Sequence, residues 1–351
     1  MASFGEKAIL AKKLKGQRLV IPDMRPIFAH WPRGLHENYQ VVKDVLDKQF
    51  AAEDMPENVR TGLKNLDPTM VAASWWPGAT ADRFRVLADV ITWFINWDDF
   101  IEDLAADPAA AEEARTSTKA VVRQALGLGR KDEPEVHTAN RIISSFQEVA
   151  AHICAAYDQE QRETLLEHFV KYIDATQLEA EADRSESLPT LKRYWEVRVL
   201  TSGMGPMLGL TEYAESVKLP SRVVHSEAYK SLCVTTIVIN SIVNDLVSFK
   251  KEMKAGSVLS SVAILYQQVN SLDAAVQMSL AHLRQLLDDF DHTAESILSS
   301  PTLDAADVGP VSKAINSLRL MNAGNVEWSL TVKRYDVARF IQSDGRIELV
   351  L

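Results

Sequence analysis

The sequence predicts an all-α fold, a single domain built as a bundle of many helices around an apolar interior. Three observations predict it. Apolar residues recur at three- and four-residue spacing through most of the chain. Pro and Gly fall mainly between those segments. No βαβ alternation, internal repeat or low-complexity tract interrupts them.

Taken in order, residues 1–40 lack helical periodicity, and Pro22, Pro26 and Pro32 break any helix there, which predicts an extended, wrapping arm. From His36 to Phe50 the residues Val41, Val42, Val45, Leu46 and Phe50 recur at helical spacing. Residues 1–70 therefore read as an arm and first helix packed on a main domain, 71–351, within one domain overall. Trp75-Trp76-Pro77-Gly78 stops one element, and Thr80-Ala81-Asp82 opens a long helix whose face carries Phe84, Leu87, Ala88, Ile91, Phe94, Ile95 and Asp98. Asp107-Pro108 ends that helix or a following loop, and residues 109–127 resume an Ala-rich helical pattern. Residues 127–134 form a polar loop, and two helical stretches follow near 136–157 and 159–184.

Ser187-Leu188-Pro189-Thr190 opens a helix through Tyr194 and Arg198 that runs into Thr201-Ser202-Gly203-Met204-Gly205-Pro206. Each Gly there costs a helix about 1 kcal/mol and Pro206 more, so a break or kink is expected. After Pro220 comes Leu232–Val243, whose Val-Thr-Thr-Ile-Val-Ile run favours a strand by propensity. The run is too long for a strand, and its polar groups recur every four residues, so a helix is expected. Residues 258–298 give two more helices, 301–310 a loop, and 311–330 a last helix ending before Lys333-Arg334-Tyr335.

The 351 residues are long enough for a large core, and 46% hydrophobic with 25% charged residues is an ordinary globular balance. A net charge of −10 offers no basic field for a nucleic-acid backbone, so any phosphate must be held by local cations or a bridging metal. Cys154 and Cys233 read as reduced core thiols of an intracellular protein. No apolar stretch reads as a membrane span and the N-terminus lacks a secretory apolar core, so a cytoplasmic protein without stable membrane association is expected. Trp75, Trp76, Trp93, Trp97 and Trp195 read as core.

Two clusters carry chemistry. In Asn244-Asp245-Leu246-Val247-Ser248-Phe249-Lys250-Lys251-Glu252, the residues Asn244, Ser248 and Glu252 stand at i, i+4 and i+8. Each step of four drifts about 40°, so a helix places all three on one face. An amide oxygen, a hydroxyl and a carboxylate make an all-oxygen half-shell suited to Mg²⁺. Lys251 adds a positive charge beside it. A polar stripe on a solvated helix has the same spacing, but the preceding run is too apolar for a surface, and a buried polar triplet needs partners.

The second cluster is Asp98-Asp99-Phe100-Ile101-Glu102-Asp103, closing the apolar helix Val90–Trp97. Asp98 pairs with Glu102 and Asp99 with Asp103 at i, i+4; these like charges repel, and they also oppose the helix dipole. A divalent cation relieves both.

These residues resemble class I terpene synthases of the microbial type. Asp98, Asp99, Glu102 and Asp103 resemble the aspartate-rich metal motif, with Glu102 and Asp103 alternatives for its additional carboxylate. Asn244, Ser248 and Glu252 with Lys251 resemble the Asn-Ser-Glu metal triad, and Arg334-Tyr335 the diphosphate-binding Arg-Tyr pair. Arg198 resembles the diphosphate-sensing arginine; Thr201 and Ser202-Gly203 fall where the linker and effector of the helix break sit. Phe94, four residues before Asp98, and Trp328 are candidate pocket aromatics. The landmarks run in the expected order from about residue 75 to 335. The resemblance implies three Mg²⁺ ions (Mn²⁺ as a substitute), an isoprenyl diphosphate substrate, and a monomer or homodimer. It implies ionisation to an allylic cation and its cyclisation, with farnesyl diphosphate the expected substrate. Behind Asp98 the pocket would be lined by Phe94, Ile91 and Leu87, and behind Asn244 by Asn240 and Ile237, to a depth of about 10–16 Å. A chain-elongating prenyltransferase is the alternative enzyme, but a second Asp-rich motif is expected of it. A non-enzymatic helical scaffold would bind neither Mg²⁺ nor diphosphate.

Overall fold

The computed structural model describes residues 5–129 and 136–351. In chain order the elements are α1 (Glu6–Leu14), β1 (Arg18–Ile21), a 3₁₀ turn (Arg25–Phe28), α2 (Tyr39–Ala52), α3 (Glu57–Leu66), α4 (Pro68–Trp75), α5 (Ala81–Asp103) and α6 (Pro108–Ala125). Then come α7 (Arg141–Ser144), α8 (Phe146–Ala156), α9 (Gln159–Arg184), α10 (Leu191–Thr201), α11 (Met204–Leu208), α12 (Thr211–Glu215) and α13 (Ser221–Val224). The chain closes with α14 (Glu227–Lys254), α15 (Ser261–Val269), α16 (Leu272–Leu298), α17 (Ala305–Thr331), a second 3₁₀ turn (Ala338–Phe340) and β2 (Ile347–Val350). The fold is all-α, with one short ribbon. Helix starts are set by side-chain caps that satisfy otherwise orphaned N–H groups: Asp107 accepts from Ala110, Thr190 from Arg193, Ser226 from Tyr229 and Ser260 from Ala263.

Two compact units are discernible. One comprises Met1–Arg33, Glu181–Ser202 and Leu219–Leu351. Its axis is α14, packed against α16 and α17 and flanked by α10 and α15. Leu232, Ile239, Ile242, Val243, Leu246 and Phe249 are essentially without solvent exposure, so the β-branched run is helical because tertiary burial outweighs its strand propensity. The other unit comprises Gly34–Ala180 and Gly203–Lys218, organised on α5. Its core is aromatic: Trp93 packs tilted against Phe146 at 4.6 Å, and Phe146 meets Phe169 edge-on at 5.2 Å, as Trp97 meets Tyr172 at 5.7 Å. The Trp97 indole N–H donates to Thr118 Oγ1 at 2.8 Å, satisfying the one polar atom that this ring buries.

Several elements differ from the sequence expectation. The N-terminal stretch is not simply an extended arm: α1 forms at 6–14, ahead of the prolines, because Leu10 and Leu14 bury at i, i+4. Residues 1–70 hold α1 to α3, not one helix. β1 pairs antiparallel with β2, from Arg18↔Val350 to Ile21↔Ile347, burying Leu19, Ile21, Ile347 and Leu349. The helix expected near 136–157 is split into α7 and α8, and the polar loop at 127–134 lies partly outside the described residues. Pro310 lies inside α17, which starts at Ala305. The proline removes the N–H that the Ala306 carbonyl would accept from in the helix, but Ala306 is exposed, where a carbonyl can be solvated. Contrary to expectation, α14 is long and apolar enough to cross a membrane, although 78% of its most apolar window is buried inside the protein. Trp195 is only half-buried; it lines a side cavity of about 140 Å³ with Leu191, Ile242, Leu265 and His282.

Candidate active site

On α14 the three expected donors share one face, and the sequence around them explains why they are ordered. Ser248 is buried and donates from Oγ to Glu252 Oε1 at 2.6 Å. Burial, followed by the neighbouring Asp245 carboxylate, pushes the Glu252 carboxyl up to about 7. Asn244 is gripped at both ends of its amide. Its Oδ1 accepts from the Arg198 guanidinium at 2.8 Å, and its Nδ2 donates to the Tyr335 hydroxyl at 2.8 Å. Arg198 comes from the last turn of α10, and Tyr335 from the segment after α17. Burial holds the Tyr335 phenol at about 12, so it stays neutral and keeps its proton as a donor. The Trp328 ring stands edge-on to Tyr335 at 5.5 Å. Lys251 is exposed beside Glu252, and its charge favours the ionised Glu252 carboxylate. Arg334 is half-buried, next to Tyr335, and acts on it in the same electrostatic sense.

One residue here was not anticipated. Asp245, 2% exposed, receives the Tyr194 hydroxyl at 2.7 Å and both the backbone N–H and the hydroxyl of Ser261, at 2.8 and 2.5 Å. Arg198 Nε lies 3.8 Å from its other oxygen. Asp245 thus ties α10 and α15 to α14 and aims Arg198 at Asn244. At i+1 from Asn244 it leaves the four-residue stripe. The signal that could have found it is a carboxylate placed between Val243 and Leu246, where only a fully hydrogen-bonded charge is tolerated.

The acidic cluster occupies the last two turns of α5, where no basic residue stands. Asp98 and Asp99 are half-buried, Glu102 and Asp103 exposed. The Tyr172 hydroxyl, from α9, donates to Asp98 Oδ1, and burial followed by that carboxylate pushes the phenol well above its ordinary range. Tyr172, too, was missed; its partner lies far away in sequence. Phe94 points with Asp98 as expected, its ring 4.6 Å from that of Tyr172.

The helix break falls at Gly203. Thr201 is buried, the Ser202 N–H closes α10 on the Arg198 carbonyl at 3.0 Å, and Gly203 takes φ +74°. A Cβ on Gly203 would stand 2.7 Å from Phe94 Cε1, so only glycine meets both the backbone and the packing demand. Gly205 and Pro206, expected to share the break, lie inside α11 instead. Pro206 is tolerated there because first-turn N–H groups have no helical acceptor.

Among the described residues, no group of three or more His, Cys, Asp or Glu side chains is placed to hold a metal ion. The donors on α14 nevertheless fit a hard cation. They are oxygens on one face, and the burial that lifts Glu252 is a penalty that a divalent charge removes.

A family profile described as "Terpene synthase family 2, C-terminal metal binding" matches residues 89–289, more than half of the chain. Sesquiterpene cyclase hepA of Aspergillus oryzae is 27% identical, over 97% of this chain and 96% of that protein. Pristinol synthase of Streptomyces pristinaespiralis is 27% identical over 75% of this chain and 71% of its own length. Among solved structures, germacradien-4-ol synthase from Streptomyces citricolor superposes with a TM-score of 0.68 at 18% identity, covering 85% of this chain and 96% of that one. Linalool/nerolidol synthase from Streptomyces clavuligerus gives 0.72 at 16%, covering 86% and 97%. These likenesses show a shared fold.

Proposed function

Since this chain belongs to terpene synthase family 2, we propose that it cyclises farnesyl diphosphate to a sesquiterpene and releases diphosphate. The family makes it a metal-dependent enzyme acting on an isoprenyl diphosphate; the choice of farnesyl, of Mg²⁺ and of three ions is our reading. The observation that carries it is the face shared by Asn244, Ser248 and Glu252, with Arg198 and Tyr335 already bonded to its first member.

In this reading Asn244, Ser248 and Glu252 are one set of metal ligands, and Asp98, Asp99 and Glu102 or Asp103 are a second set. Bound cations supply charge neutralisation of the leaving diphosphate. Arg198, Lys251, Arg334 and Tyr335 donate to its oxygens as the C–O bond breaks, and ionisation needs no general base. Thr201, Ser202 and Gly203 relay diphosphate binding at Arg198 into the helix break. The faces of Phe94 and Trp328 stabilise cationic centres by about 0.5–2 kcal/mol each. The net charge and the burial of α14 support an enzyme that uses neither nucleic acid nor stable membrane attachment; a monomer or homodimer is our reading.

The relatives support the fifteen-carbon substrate, since hepA, 27% identical over nearly the whole chain, is named a sesquiterpene cyclase. The test is separate incubation with geranyl, farnesyl and geranylgeranyl diphosphates and Mg²⁺, followed by gas chromatography of the organic extract. The highest kcat/KM is expected for farnesyl diphosphate; a higher value for geranylgeranyl diphosphate overturns the assignment.

A further inference from the structure

Between α14 and α17 the structure buries a ladder of amides where an apolar floor is expected. Thr236 and Asn240 extend the stripe of Asn244 downward in steps of four. Asn240 Nδ2 donates to Asn322 Oδ1 at 2.6 Å and to the Thr236 carbonyl at 3.0 Å. Asn322 Nδ2 donates to the Leu318 carbonyl at 3.0 Å and reaches Thr236 Oγ1 at 3.4 Å; Asn325 Nδ2 reaches the Asn240 carbonyl at 3.5 Å. All four residues are at most 5% exposed. Yet Asn240 Oδ1 is buried and receives no hydrogen bond from any described residue, and the same holds for the Ser329 hydroxyl, four residues after Asn325 on α17. A buried acceptor left unmet costs about 1–3 kcal/mol, and a ladder serving only to fasten two helices has no reason to retain one.

Position gives the reason. Asn240 lies one turn, about 6 Å, below Asn244 and about 40° around the helix, so the hydrocarbon of a diphosphate held at Asn244 passes its level. An amide oxygen is too weak a base to remove a proton from a carbocation, but it is a good acceptor for a water O–H. Asn322 fixes the amide so that Nδ2 is engaged and Oδ1 is offered. Resting on the cyclase reading above, we propose that Asn240 Oδ1 holds the water that ends the reaction, so that the enzyme's main product is a terpene alcohol. One water O–H donates to Asn240 Oδ1, and the oxygen lone pair forms a C–O bond to the terminal carbocation. The resulting oxonium loses one proton to the released diphosphate, the strongest base present. Farnesyl diphosphate and water give alcohol and protonated diphosphate, with no redox change.

The experiment is turnover of farnesyl diphosphate in buffer enriched in H₂¹⁸O, with products resolved by gas chromatography and mass spectrometry. The wild type is expected to give mainly an alcohol, shifted by two mass units in proportion to the enrichment. In Asn240→Leu the alcohol-to-hydrocarbon ratio is expected to fall at least tenfold. Because a ratio is read, a loss of total turnover does not blur it; Asn240→Ala carries the same expectation if the leucine variant does not fold. A wild-type product that is only hydrocarbon, or a ratio unchanged in the variants, overturns the inference while leaving the cyclase reading intact. Absence of any terpene product from all three diphosphates sinks the cyclase reading itself, and this inference with it.

Discussion

The two oxygen-rich clusters, one in the middle of α14 and one at the end of α5, present similar donors but are assembled by opposite rules. The α14 cluster is held by the protein itself: Arg198 and Tyr335 on Asn244, Ser248 on Glu252, and Tyr194 and Ser261 on Asp245. The α5 cluster sets four carboxylates in two i, i+4 pairs at the negative end of a helix dipole. Within it the Tyr172 hydroxyl donates to Asp98. One cluster is pre-organised at the expense of burying charge; the other keeps its charge near water, where bound cations would relieve its repulsion. Removing donors should therefore impair catalysis at both clusters but move metal-free stability in opposite directions.

The largest effect is expected on turnover. Asn244→Ala or Glu252→Ala should lower kcat/KM about a thousandfold, and excess chelator should abolish wild-type activity. Wild-type rates persisting in chelator would remove the basis for metal at both clusters. Next, Asp245→Ala should destabilise the metal-free protein by about 3 kcal/mol in urea unfolding, because it strands the Tyr194 and Ser261 donors and leaves Arg198 without its buried carboxylate. An unchanged midpoint would mean that the α14 cluster is not held as described. A smaller loss, about thirtyfold in kcat/KM, is expected for Arg198→Lys, whose point charge cannot reproduce a fork that engages Asn244 and phosphate oxygens. Normal kinetics there would exclude Arg198 as the diphosphate sensor. The smallest effect carries the opposite sign. Asp103→Asn should raise metal-free stability by about 0.3–1 kcal/mol at low salt, and the gain should shrink with added salt. A destabilised Asp103→Asn would show that repulsion and the helix dipole do not govern the α5 cluster.

Spacing alone made both clusters stand out. Asn244, Ser248 and Glu252 share a face because four residues nearly complete a turn, and the Asp98–Asp103 cluster stands out because like charges at that spacing are unfavourable. Gly203 was legible as a break, though not its fit against Phe94, which depends on a contact more than a hundred residues away. Asp245, Tyr194 and Tyr172 were not read because their roles lie in tertiary partners and not in periodicity. Asn240 was visible as a pocket-lining position, but its bond to Asn322 joins helices 82 residues apart. α1 and the ribbon escaped notice for a related reason: four-residue strands carry little periodic signal, and β1 finds its partner only at the far end of the chain.

The ribbon ties residues 18–21 to residues 347–350. Besides the β1–β2 pairing, the Gly16 N–H donates to the Leu351 carbonyl at 2.9 Å and the Leu351 N–H to the Gln17 carbonyl at 3.0 Å. Arg334 and Tyr335 therefore sit not on a loose tail but on a bridge, residues 332–346, moored to α17 on one side and through β2 to the N-terminal strand on the other. Mooring the second end removes most of the chain entropy that a free tail would lose whenever Tyr335 meets Asn244. Strand β1, which carries no residue of the candidate site, thereby helps to keep the segment bearing Tyr335 close to Asn244.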